Sequence, residues 1–191
     1  MRRLRTFIAI ELAPSVKRRA EKLISILQQS EADVSWVNPQ QMHLTLKFLG
    51  EIPELEAAEL CHVVTDAAKQ VEPFELVFRG MGAFPDLADP RTIWLGLQSG
   101  DEELRELHAA MENALHRHFG FSKDRRRFQP HLTLGRAKRA EGPELSRLME
   151  LMQENADFDG DLSVVDEVAI LSSTLGRNGP TYEPLGHAEL G

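Results

Sequence analysis

Two places in this chain carry the same four residues, His43-Leu-Thr-Leu46 and His131-Leu-Thr-Leu134. In a β-strand, residues i and i+2 share a face. Each segment would therefore present its histidine and threonine together, His43 with Thr45 and His131 with Thr133, and bury both leucines behind them. Imidazoles titrate near neutrality, so two of them can hold opposite protonation states, one taking a proton while the other gives one. Threonine hydroxyls can donate hydrogen bonds to oxygens on which charge concentrates. This combination suits in-line displacement at a phosphodiester, with one histidine deprotonating water and the other protonating the departing oxygen. It needs neither a covalent nucleophile nor a metal. A single His-x-Thr is a weak signal, whereas two copies at equivalent places in a repeat are a strong one.

The rest of the chain repeats around these motifs. Thr6 to Leu12 precedes an amphipathic helix over Ser15 to Gln29, with Val16, Ala20, Leu23, Ile24 and Leu27 on one face, and then comes motif one. Thr92 to Leu97 precedes a helix over Asp101 to Phe119, with Leu104, Leu107, Met111 and Leu115 aligned and Asp101 as N-cap, and then comes motif two. Helical stretches follow at Pro53 to Val71 and Pro143 to Asn155, each with proline near its first turn. Extended segments follow these, Phe74 to Arg79 and Val164 to Leu171, and a short strand near Tyr182 to Leu190 closes the chain. The expected fold is α+β, with a pseudo-twofold repeat of strand-helix-strand-helix-strand units over about 5–85 and 91–175. Residues 1–191 form a single domain of two lobes, and the symmetry brings the motifs face to face.

With 191 residues, 42% apolar and 27% charged, the chain falls in the ordinary globular range. The apolar run from Phe7 to Leu12 is far too short for a membrane span. A lone Cys61 rules out a disulfide within the chain or a multi-cysteine zinc site. These features predict a cytoplasmic monomer without membrane contact. The net charge of −8 argues against tracking along nucleic-acid backbones, so such a substrate would be gripped locally. Arg125, Arg126, Arg127, Arg136, Lys138 and Arg139 around motif two offer a local source of positive charge.

The pair HLTLKFLG and PHLTLGR resembles the two-histidine phosphoesterases, specifically the bacterial and archaeal RNA 2′,3′-cyclic phosphodiesterases, also called 2′-5′ RNA ligases. The resemblance covers nearly the whole chain, from Arg5 to Leu185. It implies a bilobal fold with mainly antiparallel sheets facing a central cleft, and hydrolysis of an RNA terminal 2′,3′-cyclic phosphate to a 2′-phosphate. For some relatives it also implies reversible 2′-5′ joining of RNA ends. His43 and His131 would be the catalytic pair, Thr45, Thr133 and Arg136 would contact phosphate, and Phe48 would contact a base. RNA 3′ ends or cyclic-phosphate nucleotides are the implied partners, without cofactor or metal. The resemblance makes His43 the acid and His131 the base, although the motifs' symmetry leaves the reverse open. Strict alternation conflicts with two of these residues, because it turns Lys47 and Gly135 towards the site and Phe48 and Arg136 away from it.

The remaining candidates are weaker. His62, His108, His116, His118 and His187 read as structural or solvent-exposed, Trp36 and Trp94 as packing residues, and Tyr182 as either packing or cleft lining. Two rival functions remain: an RNA-end binder without turnover, and a metal hydrolase. The latter would have only two histidine ligands and no carboxylate at ligand spacing.

Overall fold

Burial divides the first strand, β1 (Arg3–Glu11), between two faces: Ile8 and Ile10 belong to the main core, while Phe7 and Ala9 join a small apolar cluster on the other side. The computed structural model describes residues 2–124, 128–138, 142–176 and 179–191. After β1 come α1 (Pro14–Leu27), β2 (Val34–Trp36), β3 (His43–Pro53), α2 (Ala57–Ala68), β4 (Phe74–Phe84) and β5 (Thr92–Ser99). The remainder is α3 (Asp101–Phe119), β6 (Leu132–Ala137), α4 (Pro143–Glu154), β7 (Asp159–Val165), β8 (Glu167–Gly176) and β9 (Gly179–Glu189).

The strands form two antiparallel sheets, ordered β3-β1-β8-β9 and β2-β6-β5-β4-β7. The expected order of elements is present, but strands cross between the repeats: β2 and β4 of the first lie in the second sheet, and β8 of the second lies in the first. β4, which closes the first repeat, pairs with β5, whereas β8, in the second, pairs with β1. The extended segment Val164 to Leu171 is likewise not one strand. It breaks at Asp166, so that Val165 pairs with Phe74 in the second sheet and Glu167 with Glu189 in the first. The acidic pair Asp166-Glu167, between apolar Val164-Val165 and Val168 to Leu171, marks this break in the sequence.

The helices cover the outer faces: α2 packs on β8, β9 and α3, and α1 on β7 and α4. Leu44, Leu46, Leu132 and Leu134 of the two motifs are all buried in the core beneath them. Burying each should stabilise the fold by roughly 1.5–3 kcal/mol. α3 has the predicted bounds, but its N-cap is Gly100 and not Asp101. Gly100 has φ +87° and lies where a Cβ would collide with the Glu75 carbonyl, so a side chain is excluded there. Asp101 instead contributes negative charge to the first turn, favourable beside the helix dipole. Among the described residues, no helix is long and apolar enough to cross a membrane.

Candidate active site

The two motif strands carry the same irregularity. On β3, Thr45 faces Ala9 and Lys47 faces Ile8, leaving Leu46 without a partner. On β6, Thr133 faces Trp94 and Gly135 faces Ile93, leaving Leu134 without a partner. Each is a β-bulge, and one extra residue reverses the alternation beyond it. Lys47 and Gly135 therefore turn inward and are buried, while Phe48 and Arg136 turn outward to the face of the histidines. The expectation from strict alternation is thus corrected at all four positions. Gly135 fits its place because a Cβ would meet the Trp36 ring at 2.7 Å and Val34 at 2.8 Å. Phe48 is 69% exposed beside Phe7, with ring centroids 5.8 Å apart.

The outcome is one cleft between the sheets. His43, Thr45, Phe48, Thr133 and Arg136 are common to two adjoining cavities, one of about 590 Å³ and one of about 380 Å³. His131 lines the smaller, and Tyr182 and Trp36 line the larger. Arg125, Arg126, Arg127 and Arg139 of the expected basic cluster lie outside the described residues, and Lys138 lies 3.6 Å from Asp33 in an exposed ion pair.

Each ring is held in the same way. His43 Nδ1 lies 2.9 Å from the Gln41 carbonyl and His131 Nδ1 lies 2.7 Å from the Gln129 carbonyl, in both cases two residues upstream. A carbonyl oxygen can only accept, so Nδ1 must donate and Nε2 is left to exchange protons. The repeated Gln-x-His that sets this geometry was visible in the sequence, at Gln41 and Gln129. His43 also packs against aromatic rings, with Phe7 at 4.9 Å and Tyr182 edge-on at 5.1 Å, while Phe84 stands edge-on to His131 at 5.0 Å. Burial pushes the His43 pKa below its ordinary value of 6.5, Lys17 adds to the effect, and the Gln41 bond and Glu11 oppose it without reversing it.

Beneath the site, the inward turn at the bulge places Lys47 in a buried charge network. Its Nζ donates to Glu112 Oε1 at 2.6 Å, Asp124 Oδ1 at 2.7 Å and the Ser122 carbonyl at 3.1 Å. Only 4% of the Lys47 side chain is exposed. Asp124 also lies 3.6 Å from His108 Nε2, and His108 stacks on Phe128, with centroids 4.2 Å apart. The Arg105 guanidinium donates to the Phe128 carbonyl. Motif one is thus tied to the segment that leads into motif two. Reading the sequence missed this, because the only signal was a lysine at a position assigned to the site face. His108 has the structural role expected of it, and His62, His116, His118 and His187 are exposed. Trp94 is half-buried, with its ring over Gly82.

The model of the 2′-5′ RNA ligase superfamily matches residues 12–177. The chain is 35% identical to the RNA 2′,3′-cyclic phosphodiesterase of Thermotoga maritima over 95% of its own length and 93% of the relative's. It is 30% identical to the Aquifex aeolicus protein of the same name over the whole of both chains. In fold it is similar to a protein of Thermus thermophilus, with a TM-score of 0.79 and 24% identity, covering 98% of each chain. It is also similar to E. coli LigT complexed with 3′-AMP, with a TM-score of 0.75 and 24% identity, covering 99% of each chain. With most of its length matched by the family model and nearly all of it by relatives at 30–35% identity, the chain belongs to the 2′-5′ RNA ligase superfamily.

Proposed function

We propose that this protein hydrolyses RNA ends bearing a 2′,3′-cyclic phosphate to 2′-phosphates, using His43 and His131 as paired acid and base without a metal ion. The reading rests chiefly on the matched Nδ1 hydrogen bonds of two histidines that line one cleft. They leave both Nε2 atoms available for proton transfer. Thr45 and Thr133, beside these rings, donate to the non-bridging oxygens, and Arg136 adds a charge-assisted contact. One histidine takes a proton from water as its oxygen bonds to phosphorus. The bond from phosphorus to O3′ breaks, and the other histidine protonates O3′. The products are a 2′-phosphate and a 3′-hydroxyl, and both rings then exchange roles with solvent to reset.

The names and extents of the Thermotoga and Aquifex relatives support the same substrate class. Run in the same direction with the 5′-hydroxyl of a second RNA in place of water, the same groups would join RNA ends by a 2′-5′ bond as the P–O3′ bond breaks. The test is product analysis after incubation with an oligoribonucleotide ending in a 2′,3′-cyclic phosphate. A 2′-phosphate terminus is expected. A 3′-phosphate terminus, or no product, would overturn the proposal.

A further inference from the structure

The larger cavity extends beyond His43 and Thr45 to Arg5, on the face where Phe48 stands exposed. Arg5 makes no ion pair or side-chain hydrogen bond among the described residues, whereas its neighbours Arg2 and Arg3 lie against Glu54 and Glu51. On β1, Ala9 faces Thr45 and Arg5 lies four residues further along, roughly 13 Å by the rise of a strand. Its long stem lets the guanidinium reach back along the cavity to within about one nucleotide of the threonines, on the stretch where Phe48 pairs with Phe7.

We propose that Arg5 forms a subsite for the phosphodiester preceding the terminal nucleotide, so that the enzyme favours the end of a polynucleotide over a free cyclic mononucleotide. This inference rests on the function proposed above and adds the substrate's length and direction. A guanidinium is well matched to a phosphodiester, pairing with two of its oxygens in a fork. On a chain of net charge −8, one unpaired cation in a cleft counts for more than diffuse attraction. The site has no symmetric counterpart. By register Thr92 corresponds to Phe7, so Pro90 stands where Arg5 does in the first repeat, and the adjacent Arg91 is paired with Asp89 at 2.9 Å. The RNA body therefore leaves the cleft through the larger cavity, and the smaller one beside His131 is left to the water.

The experiment compares kcat/KM on three substrates: a 2′,3′-cyclic mononucleotide, a dinucleotide ending in the same cyclic phosphate, and that dinucleotide with a neutral methylphosphonate linkage. The charged dinucleotide should exceed the neutral one by about tenfold, the effect of one charge-assisted contact. In Arg5→Gln that ratio should fall to near one, and Arg5→Lys should restore part of it. Because the readout is a ratio, a general loss of folded protein cancels. A wild-type ratio near one, or a ratio unchanged by Arg5→Gln, overturns the subsite while leaving the hydrolytic reading intact. Absence of turnover on all three substrates overturns both.

Discussion

The ammonium of Lys47 lies 2.7 Å from Asp124 Oδ1 and 2.6 Å from Glu112 Oε1, so a residue adjoining motif one holds the approach to motif two. Removing the cation leaves the largely buried Glu112 carboxylate with the Asp124 backbone N–H at 2.7 Å but with no opposite charge from Lys47. Lys47→Met should therefore cost about 3 kcal/mol of unfolding free energy, the low end for breaking a buried pair because Asp124 is half-exposed. Urea denaturation measures this. An unchanged midpoint would mean that the network contributes nothing net.

The same network should mark the acid limb of stability. Burial raises the Glu112 pKa, but the hydrogen bonds from Lys47 and the Asp124 backbone pull it below its ordinary 4.5. A carboxylate depressed in the folded state stabilises it above the unfolded pKa, and that contribution is lost as pH falls through the folded value. Wild-type stability should thus decline below about pH 4.5, and Lys47→Met should show a shallower decline there. Parallel curves would place the acid sensitivity elsewhere.

His43→Ala and His131→Ala should each lower turnover by roughly 10²- to 10⁴-fold while the protein remains folded. Excess EDTA should leave the wild-type rate unchanged, since proton transfer and hydrogen bonds handle the charge. A folded variant retaining more than about a tenth of the rate, or a rate lost to EDTA and restored by zinc, would refute the two-histidine mechanism.

The roles of the two rings can be separated through Glu11, which faces His43 across the β1–β3 pair and raises its pKa. In Glu11→Gln the His43 pKa should drop further. If His43 is the acid, the alkaline limb of the pH profile of kcat/KM moves to lower pH and the acid limb stays. Movement of the acid limb alone would exchange the roles.

Gly135→Ala should place a methyl group into the Trp36 ring and Val34, costing about 1–3 kcal/mol as overpacking does. Trp36 fluorescence should respond as the indole is displaced towards the cleft. Wild-type stability in the Gly135→Ala variant would mean that β2 yields freely.

The residues proposed to carry the chemistry could be read from sequence because period-two alternation is local: His43 and Thr45 share a face whatever the rest of the chain does. The same rule failed two residues further on, at Lys47, Phe48, Gly135 and Arg136. A bulge is a property of the pairing with β1 or β5, and one strand's sequence does not reveal where its partner skips a residue. The helices were legible from their apolar stripes, with α3 matched at both ends. Which sheet each strand joins was not, because β4 and β8 would satisfy their apolar faces in either.

The exchange of β4 and β8 between the repeats also bears on how the molecule can move and be divided. A chain cut between Phe84 and Thr92 would yield two fragments, each holding a strand whose hydrogen-bonding partner is on the other. Neither fragment can complete a sheet alone, so activity should return only when the two are mixed, as in a split reporter. The interlock opposes wide separation of the sheets for the same reason. Under the proposed function, RNA then enters along the open groove and cannot wait for the halves to swing apart.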